Sequence, residues 1–103
     1  MYYYDDVSIN DVDTGDVISI NKEKYVCVLA NHCQDSYYSL LYIAKEKYLL
    51  KKYNGNQLAL DLKNDDNITV VEAYDFEQNN ISIIEKSKYK NCFSQFIIFN
   101  MKK

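Results

Sequence analysis

The chain of 103 residues has no proline, no tryptophan and no arginine, and it has only two glycines. Sharp bends must therefore rely on asparagine and aspartate, which tolerate left-handed backbone conformations. All twelve basic side chains are lysines, and the net charge is −3. Both the lack of arginine and the acidic charge disfavour nucleic-acid binding, which depends on neutralising phosphates. The bias towards asparagine, isoleucine, lysine and tyrosine follows A/T-rich codons, so we expect a low-G+C bacterium or one of its mobile elements as the source.

Long hydrophobic runs are also missing, since no stretch approaches the roughly 20 apolar residues that span a bilayer. The N-terminus shows neither the basic nor the apolar region of a signal peptide. Cysteine is scarce, and Cys27, Cys33 and Cys92 are an odd number without the spacing of a disulfide framework. We therefore expect three reduced thiols in a cytoplasmic protein. The length predicts a single domain over residues 1–103, with residues 1–14 as a loosely held acidic arm.

Charge of one sign is scarce in whole blocks of the chain, although the net charge is only −3. Residues 1–20 contain five aspartates and no lysine, and residues 53–84 contain six acids against Lys63. Residues 45–52 and 85–103 are basic in balance, with four and five lysines against one glutamate each. The alternation predicts a mixed, solvated surface; the alternative is a molecule with an acidic and a basic side, whose acidic side meets a basic partner.

The stretch from Gly15 to Leu29 carries the clearest secondary-structure pattern, that of a β-hairpin. The turn signal Gly15-Asp16 leads into an apolar run over residues 17–20, and a second run follows at residues 25–29. The charged residues 21–24 between the two runs predict the turn. A Gly-Asp pair followed by strand, short turn and strand resembles the opening of some SH3-like barrels, but two residues are too few to identify a family.

Short apolar runs separated by turn signals recur along the rest of the chain, at intervals of roughly 8–12 residues. They predict a mainly β fold, a small antiparallel barrel or sandwich of about 6–7 short strands, with an SH3-like barrel as one form. Residues 76–80 predict a turn or a short helix capped by Asp75. Further strands are expected at residues 7–12, 58–62, 68–74, 81–84 and 92–99.

The segment from Tyr37 to Tyr53 admits two interpretations. Its tyrosines and isoleucine favour two strands, Tyr37–Ala44 and Tyr48–Tyr53, joined by a turn at Lys45-Glu46. The alternative is an α+β fold with one helix over residues 36–53. We prefer the strands, because apolar side chains would surround the helix rather than form one stripe.

Two short motifs near residue 13 suggest chemistry that their surroundings do not support. Asp13-Thr14-Gly15 matches the tripeptide of aspartic proteases, but the approaching apolar strand and a glycine-rich flap are missing. A calcium loop starting at Asp11 needs glycine at its sixth position and glutamate at its twelfth, where Asp16 and Lys22 stand. A turn before a strand explains these residues better.

Cysteine and histidine chemistry is the remaining enzymatic option. Adjacent His32 and Cys33 have poor geometry for zinc, and no second ligand pair exists. A Cys33 nucleophile with His32 as base would make the protein a cysteine-dependent enzyme, but neighbours in an extended strand point to opposite faces. We therefore predict no catalytic residue, no metal ligand and no cofactor, and a protein that is not an enzyme.

Binding is the function that the composition favours. Tyrosine is enriched at protein interfaces, and an acidic, tyrosine-rich chain fits a non-enzymatic protein-binding module: an inhibitor, an immunity-type protein or a regulatory accessory protein. Its partner would be a protein with a basic surface, contacted through Asp11, Asp13, Asp16, Tyr2, Tyr3 and Tyr4. The alternative is a nucleic-acid-binding β-barrel, in which bases stack on a lysine-tyrosine strip. That strip comprises Lys45, Lys47, Tyr48, Lys51, Lys52, Lys88, Tyr89 and Lys90.

Overall fold

The computed structural model describes residues 7–52 and 58–96, with the backbone alone for residues 58–59 and 93–96. Within these ranges the strands are β1 Val17–Ile20, β2 Glu23–Asn31, β3 Leu40–Lys45, β4 Leu58–Leu60, β5 Thr69–Glu72, β6 Ile81–Glu85 and β7 Phe93–Phe96. The α-helices are α1 Glu46–Lys52 and α2 Ala73–Gln78. Two 3-10 helices cover Ile9–Asp11 and Ser36–Tyr38.

Five strands form one antiparallel sheet in the order β5-β3-β2-β1-β6, and β4 pairs with β7 in parallel as a separate ribbon. The predicted mainly β class is confirmed. The predicted barrel is not found in the described ranges, because a barrel must pair its first and last strands, whereas β5 and β6 are opposite edges of an open sheet. The SH3-like form is not confirmed.

The hairpin predicted over Gly15–Leu29 is confirmed, with a tighter turn than expected. Val17 lies opposite Val26 and Ile20 opposite Glu23, so the loop consists of Asn21 and Lys22 alone. Both loop residues have positive φ, 51° and 76°, as a type I′ turn requires. The right-handed twist of the two strands favours this turn, since types I and II would splay them apart.

Alternate side chains of the sheet enter two separate cores, one on each face. The first core contains Ile9, Val12, Ile18, Cys27, Leu41, Ile43, Val71 and Ile83. The second contains Val17, Val26, Val28, Tyr42, Ala44, Leu49, Leu60 and Leu62. The N-terminal segment supplies the cover of the first face and α1 contributes to that of the second, so both faces of the central strands are buried.

The prediction of a return strand over Tyr48–Tyr53 is wrong, because residues 46–52 form α1. Leu40–Lys45 is a strand, as predicted, but it is hydrogen-bonded to β2 on one side and β5 on the other. Neither edge of β3 is therefore open to a return strand. The charges at both ends also stabilise the helix, because Glu46 lies in the first turn and lysines lie in the last. The alternative helix over residues 36–53 is correct only for this second half.

The strand predicted over residues 7–12 is a 3-10 helix that lies against the first core. Ser8 caps it, and the backbone N–H of Ser8 donates to Asp11 Oδ2 at 2.9 Å. Ile9 and Val12 are buried, so residues 7–12 of the predicted acidic arm are packed on the sheet. The remaining residues 1–6 lie outside the described part of the chain.

The strand predicted over residues 68–74 ends at Glu72, where α2 follows directly. The prediction of Asp75 as the cap before this helix is wrong: Glu72 is the N-cap, and Asp75 is the third helical residue, whose Oδ2 accepts the N–H of Glu72 at 2.8 Å. Because the helix starts earlier than the sequence pattern indicated, Tyr74 lies in its first turn and not in a strand.

Candidate protein-binding surface

Three exposed tyrosines surround a depression beside the edge strand β5, which we name the tyrosine cleft. It is lined by Tyr37, Tyr38, Leu40, Glu72 and Tyr74, and its volume is about 220 Å³. The three tyrosines are 67%, 67% and 59% exposed. The rings of Tyr37 and Tyr38 meet edge to face, with 5.3 Å between centroids and 88° between planes. The cleft therefore presents aromatic surface around Glu72.

The 3-10 helix that carries Tyr37 is held at both ends by side chains. Asp35 Oδ1 accepts the N–H of Tyr37 at 3.0 Å, which satisfies a backbone donor at its start. At its end, the buried Ser39 hydroxyl accepts the N–H of Cys33 at 2.8 Å and donates to Asn10 Oδ1 at 2.6 Å. These bonds fix the turn while its two tyrosines remain in solvent.

The exposed apolar side chains are unevenly distributed over the described residues. Large ones are exposed at Tyr37, Tyr38, Leu50, Val70 and Tyr74. All but Leu50 lie on β5 or in the tyrosine cleft next to it. Exposed apolar side chains that are concentrated in one region in this way mark interaction sites in proteins.

Acidic residues accompany this surface. Asp35 precedes the first two tyrosines, and Glu72, Asp75 and Glu77 lie on β5 and α2. No lysine stands between Lys63 and Lys86, so this edge of the sheet has no basic residue of its own. The acidic side predicted from the sequence therefore includes the tyrosine cleft.

A second cleft of about 210 Å³ lies beside β5, against the first core. It is lined by Ile20, Tyr25, Ile43, Thr69, Val70, Val71, Asp75, Asn79 and Ile81. Two of its polar side chains already have partners: Asp75 accepts the N–H of Glu72, and Asn79 accepts from the Asn21 amide and donates to the carbonyl of Asp75. We therefore give the tyrosine cleft priority.

The predicted partner-binding aspartates occupy different environments. Asp11 and Asp13 are exposed, whereas Asp16 is fully buried. Asp16 Oδ2 accepts hydrogen bonds from Lys86 Nζ at 2.6 Å and from the N–H of Asp13 at 2.8 Å, and Oδ1 accepts the N–H of Ser87 at 2.7 Å. A carboxylate with these partners stabilises the fold, so Asp16 is not available to contact a binding partner.

Lys86 also donates to the carbonyl of Asp11 at 2.9 Å and to Asp13 Oδ2 at 3.2 Å. Partial burial acts to lower the pKa of Lys86, but the hydrogen bonds to Asp16 and Asp13 outweigh it and hold this pKa above its usual value. The charge of the predicted contact residue Asp13 is thus partly neutralised by a lysine from the loop that follows β6.

The tripeptide Asp13-Thr14-Gly15 has a structural explanation for each residue. Asp13 pairs with Lys86, and Thr14 Oγ1 accepts the N–H of Ala30 at 3.1 Å. Gly15 has φ +95°, and a Cβ at this position would come within 2.5 Å of the Lys90 backbone. Only glycine suits both the conformation and the close approach.

The structure brings the two halves of the predicted lysine-tyrosine strip together, but around acidic side chains. Glu46 Oε2 accepts the hydroxyl of Tyr89 at 2.6 Å and lies 3.5 Å from Lys88 Nζ. Burial, and then Glu46, raise the pKa of Tyr89. The Tyr48 hydroxyl donates to Asp65 at 2.5 Å. A nucleic-acid backbone on this strip would therefore face carboxylates as well as lysines.

The other lysines of the strip are exposed, but two of them interact with neighbouring side chains. Lys45 pairs with Glu23 at 3.0 Å, and Lys52 Nζ lies 5.5 Å from the centre of the Tyr48 ring. The remaining lysines are exposed: Lys47, Lys51 and Lys90. Of these three exposed lysines, Lys47 and Lys51 lie on α1.

His32 and Cys33 engage different neighbours. His32 Nε2 lies 2.7 Å from the carbonyl oxygen of Val12, and the Cys33 thiol donates to the carbonyl of Tyr38 at 3.4 Å. The pair is thus not arranged as base and nucleophile. Cys27 is buried in the first core, and this burial, with a smaller effect of the Asp16 charge, raises the pKa of its thiol to about 12.

Sequence reasoning named Tyr2, Tyr3 and Tyr4 as contact residues, and these lie outside the described residues. It did not select Tyr37, Tyr38 or Tyr74, which were placed in predicted strands. A signal was present: Glu72-Ala-Tyr-Asp75 has the acidic spacing of a capping box, which would have placed Tyr74 in the first turn of a helix.

Within residues 7–52 and 58–96, no group of three or more histidine, cysteine or acidic side chains is placed to hold a metal ion. In the same part of the chain, no helix has the length and apolarity needed to cross a membrane. Comparisons with protein-family models, with curated proteins and with solved structures found no match to this chain.

Proposed function

We propose that the protein is a non-enzymatic protein-binding module that acts in the cytoplasm, and that the tyrosine cleft with Val70 is its contact surface. The observation that carries the proposal is the concentration of exposed apolar side chains at one edge of the sheet. A partner that covered these side chains would remove their apolar area from water. Each Å² of apolar area buried would stabilise the complex by roughly 25 cal/mol.

Tyrosine suits this role because its ring gives a large contact area at low conformational-entropy cost and its hydroxyl can bond a polar group. The acids around the cleft favour a partner with a basic surface, since opposite potentials speed association and exclude wrong partners. An inhibitor, an immunity-type protein or a regulatory accessory protein would work through such a surface without chemistry of its own.

Site-specific photo-cross-linking in native host cells tests the proposal. The photoreactive residue p-benzoylphenylalanine replaces Tyr38 in one variant and Lys24, which is exposed on the hairpin, in a control. We expect a discrete protein adduct from position 38 that is absent from position 24. The adduct should resist nuclease, and Glu72→Lys should remove it. Equal adducts from both positions, or an adduct that nuclease destroys, would overturn the proposal.

A further inference from the structure

We propose that the outer edge of β5 binds an extended, basic segment of the partner protein as an added strand, with a side chain of that segment in the tyrosine cleft. The inference rests on the proposed function and specifies the chemistry of the partner. β5 is the last strand of the described sheet, and its only strand neighbour in that part of the chain is β3. An edge strand carries backbone groups that can pair with another chain.

The register shows which backbone groups of β5 are open. Leu40 lies opposite Glu72 and Tyr42 opposite Val70. The N–H of Glu72 donates to Asp75 and not across to Leu40, so this pair is not hydrogen-bonded. Because hydrogen-bonded and non-hydrogen-bonded pairs alternate in an antiparallel ladder, Val70 also turns its N–H and C=O away from β3. These two groups form the docking point for an added strand.

The side chains on the same face agree with this arrangement. Val70 and Glu72 share the face of Tyr42 and Leu40, where Val70 is 46% exposed and Glu72 lines the tyrosine cleft. Alternate side chains of an added strand would lie on this face too. One of them would reach the cleft while its neighbour on the same face covers Val70.

Charge selects a basic segment of another protein over a second copy of this chain. Pairing of two β5 strands would set two acidic edges against each other, since neither copy has a lysine between Lys63 and Lys86. A segment with lysine or arginine at the cleft position would instead place a cation beside Glu72, between tyrosine rings that attract cations. The opposite edge, β6, offers no such surface, since Ile81 and Ile83 are buried.

A phage-displayed library of random twelve-residue peptides, selected on the immobilised full chain, tests the inference. We expect enriched peptides in which apolar and basic residues alternate. Glu72→Lys should weaken their binding at least about 10-fold, and N-methylation of alternate peptide amides in one register should do the same. Val70→Pro, which removes the outward N–H of an edge strand, should also weaken binding.

The outcomes separate this inference from the proposed function. Peptides that bind at the tyrosines but tolerate N-methylation in both registers would overturn strand addition and leave the cleft as a contact surface. Enrichment of acidic peptides, or no enrichment above an unrelated control protein, would also overturn the inference, whereas the cross-link from position 38 decides the proposed function independently. N-methylated peptides are tested on the unmodified chain, so misfolding of Val70→Pro cannot mask the result.

Discussion

Lys86 Nζ lies 2.6 Å from Asp16 Oδ2 and thereby ties the loop before β1 to the loop after β6. The Lys86 side chain is 29% exposed, whereas that of Asp16 is fully buried. We expect Lys86→Met to lower the free energy of unfolding by about 3 kcal/mol, because it leaves a buried carboxylate without its cation. Urea denaturation followed by circular dichroism measures the change.

Lys88→Met is the matched control for this prediction. Lys88 lies 3.5 Å from Glu46 and is 44% exposed, so its loss should cost less than about 1 kcal/mol. The double variant Asp16→Asn with Lys86→Met should recover part of the stability, since no unpaired charge remains. Equal losses from both lysine variants would show that the Asp16 pair is not buried as described.

The buried thiol of Cys27 predicts a fall in stability at alkaline pH. Its folded-state pKa of about 12 exceeds the usual 9.0, so the unfolded chain loses this proton first and stability declines as pH rises through that interval. By pH 9.8 the loss should be about 1 kcal/mol relative to pH 8. Urea denaturation at the two pH values measures it.

Cys27→Ala supplies the comparison for the pH prediction. This variant is less stable at every pH because it leaves a small cavity, but its free energy of unfolding should be flatter between pH 8 and 9.8. A decline in Cys27→Ala as steep as in the wild type would assign the pH dependence to other groups.

The hairpin turn contains a strained residue whose replacement should stabilise the protein. Lys22 has φ 76°, a conformation that glycine adopts without the clash of a Cβ. We expect Lys22→Gly to raise the free energy of unfolding by about 0.5–1 kcal/mol. Lys24→Gly, in the extended part of β2, should lower it by a similar amount. Thermal unfolding of both variants tests the assignment, and a loss in both would contradict the type I′ turn.

The lysine-tyrosine strip should not bind single-stranded nucleic acid appreciably. Glu46 and Asp65 lie among its lysines and tyrosines, and their charge opposes phosphate binding. A filter-binding assay with a labelled oligonucleotide should show no retention that depends on salt. Salt-dependent retention that Lys47→Glu and Lys51→Glu abolish would instead establish the nucleic-acid alternative.

The local sequence pattern correctly predicted those elements that are determined by their own residues. The hairpin at Gly15–Leu29 and the strand at residues 81–84 follow from apolar runs and turn residues, and both are present. The segment after Lys45 could not be assigned in this way, because its helix depends on both edges of β3 already being paired. Pairing partners are tertiary information, and short apolar runs favour strand and helix alike.

The residues of the candidate site were likewise predicted only in part. The sequence indicated an acidic, tyrosine-rich binding protein, but burial separates Asp16 from Asp11 and Asp13 although all three stand in one acidic block. The tyrosine cleft unites Tyr37 and Tyr74, which are far apart in sequence, through the pairing of β3 with β5. No pattern in the linear chain contains that pairing.

The central claim is that the tyrosine cleft is a protein-binding surface, and an NMR titration tests it most directly. The ¹⁵N-labelled chain is titrated with the partner identified by cross-linking, and backbone amide shifts are followed. The account predicts the largest changes at residues 37–40 and 69–74, with residues 22–24 and 47–52 unchanged. Changes confined to the lysines of α1, with the amides around Tyr37, Val70 and Tyr74 unmoved, would contradict it.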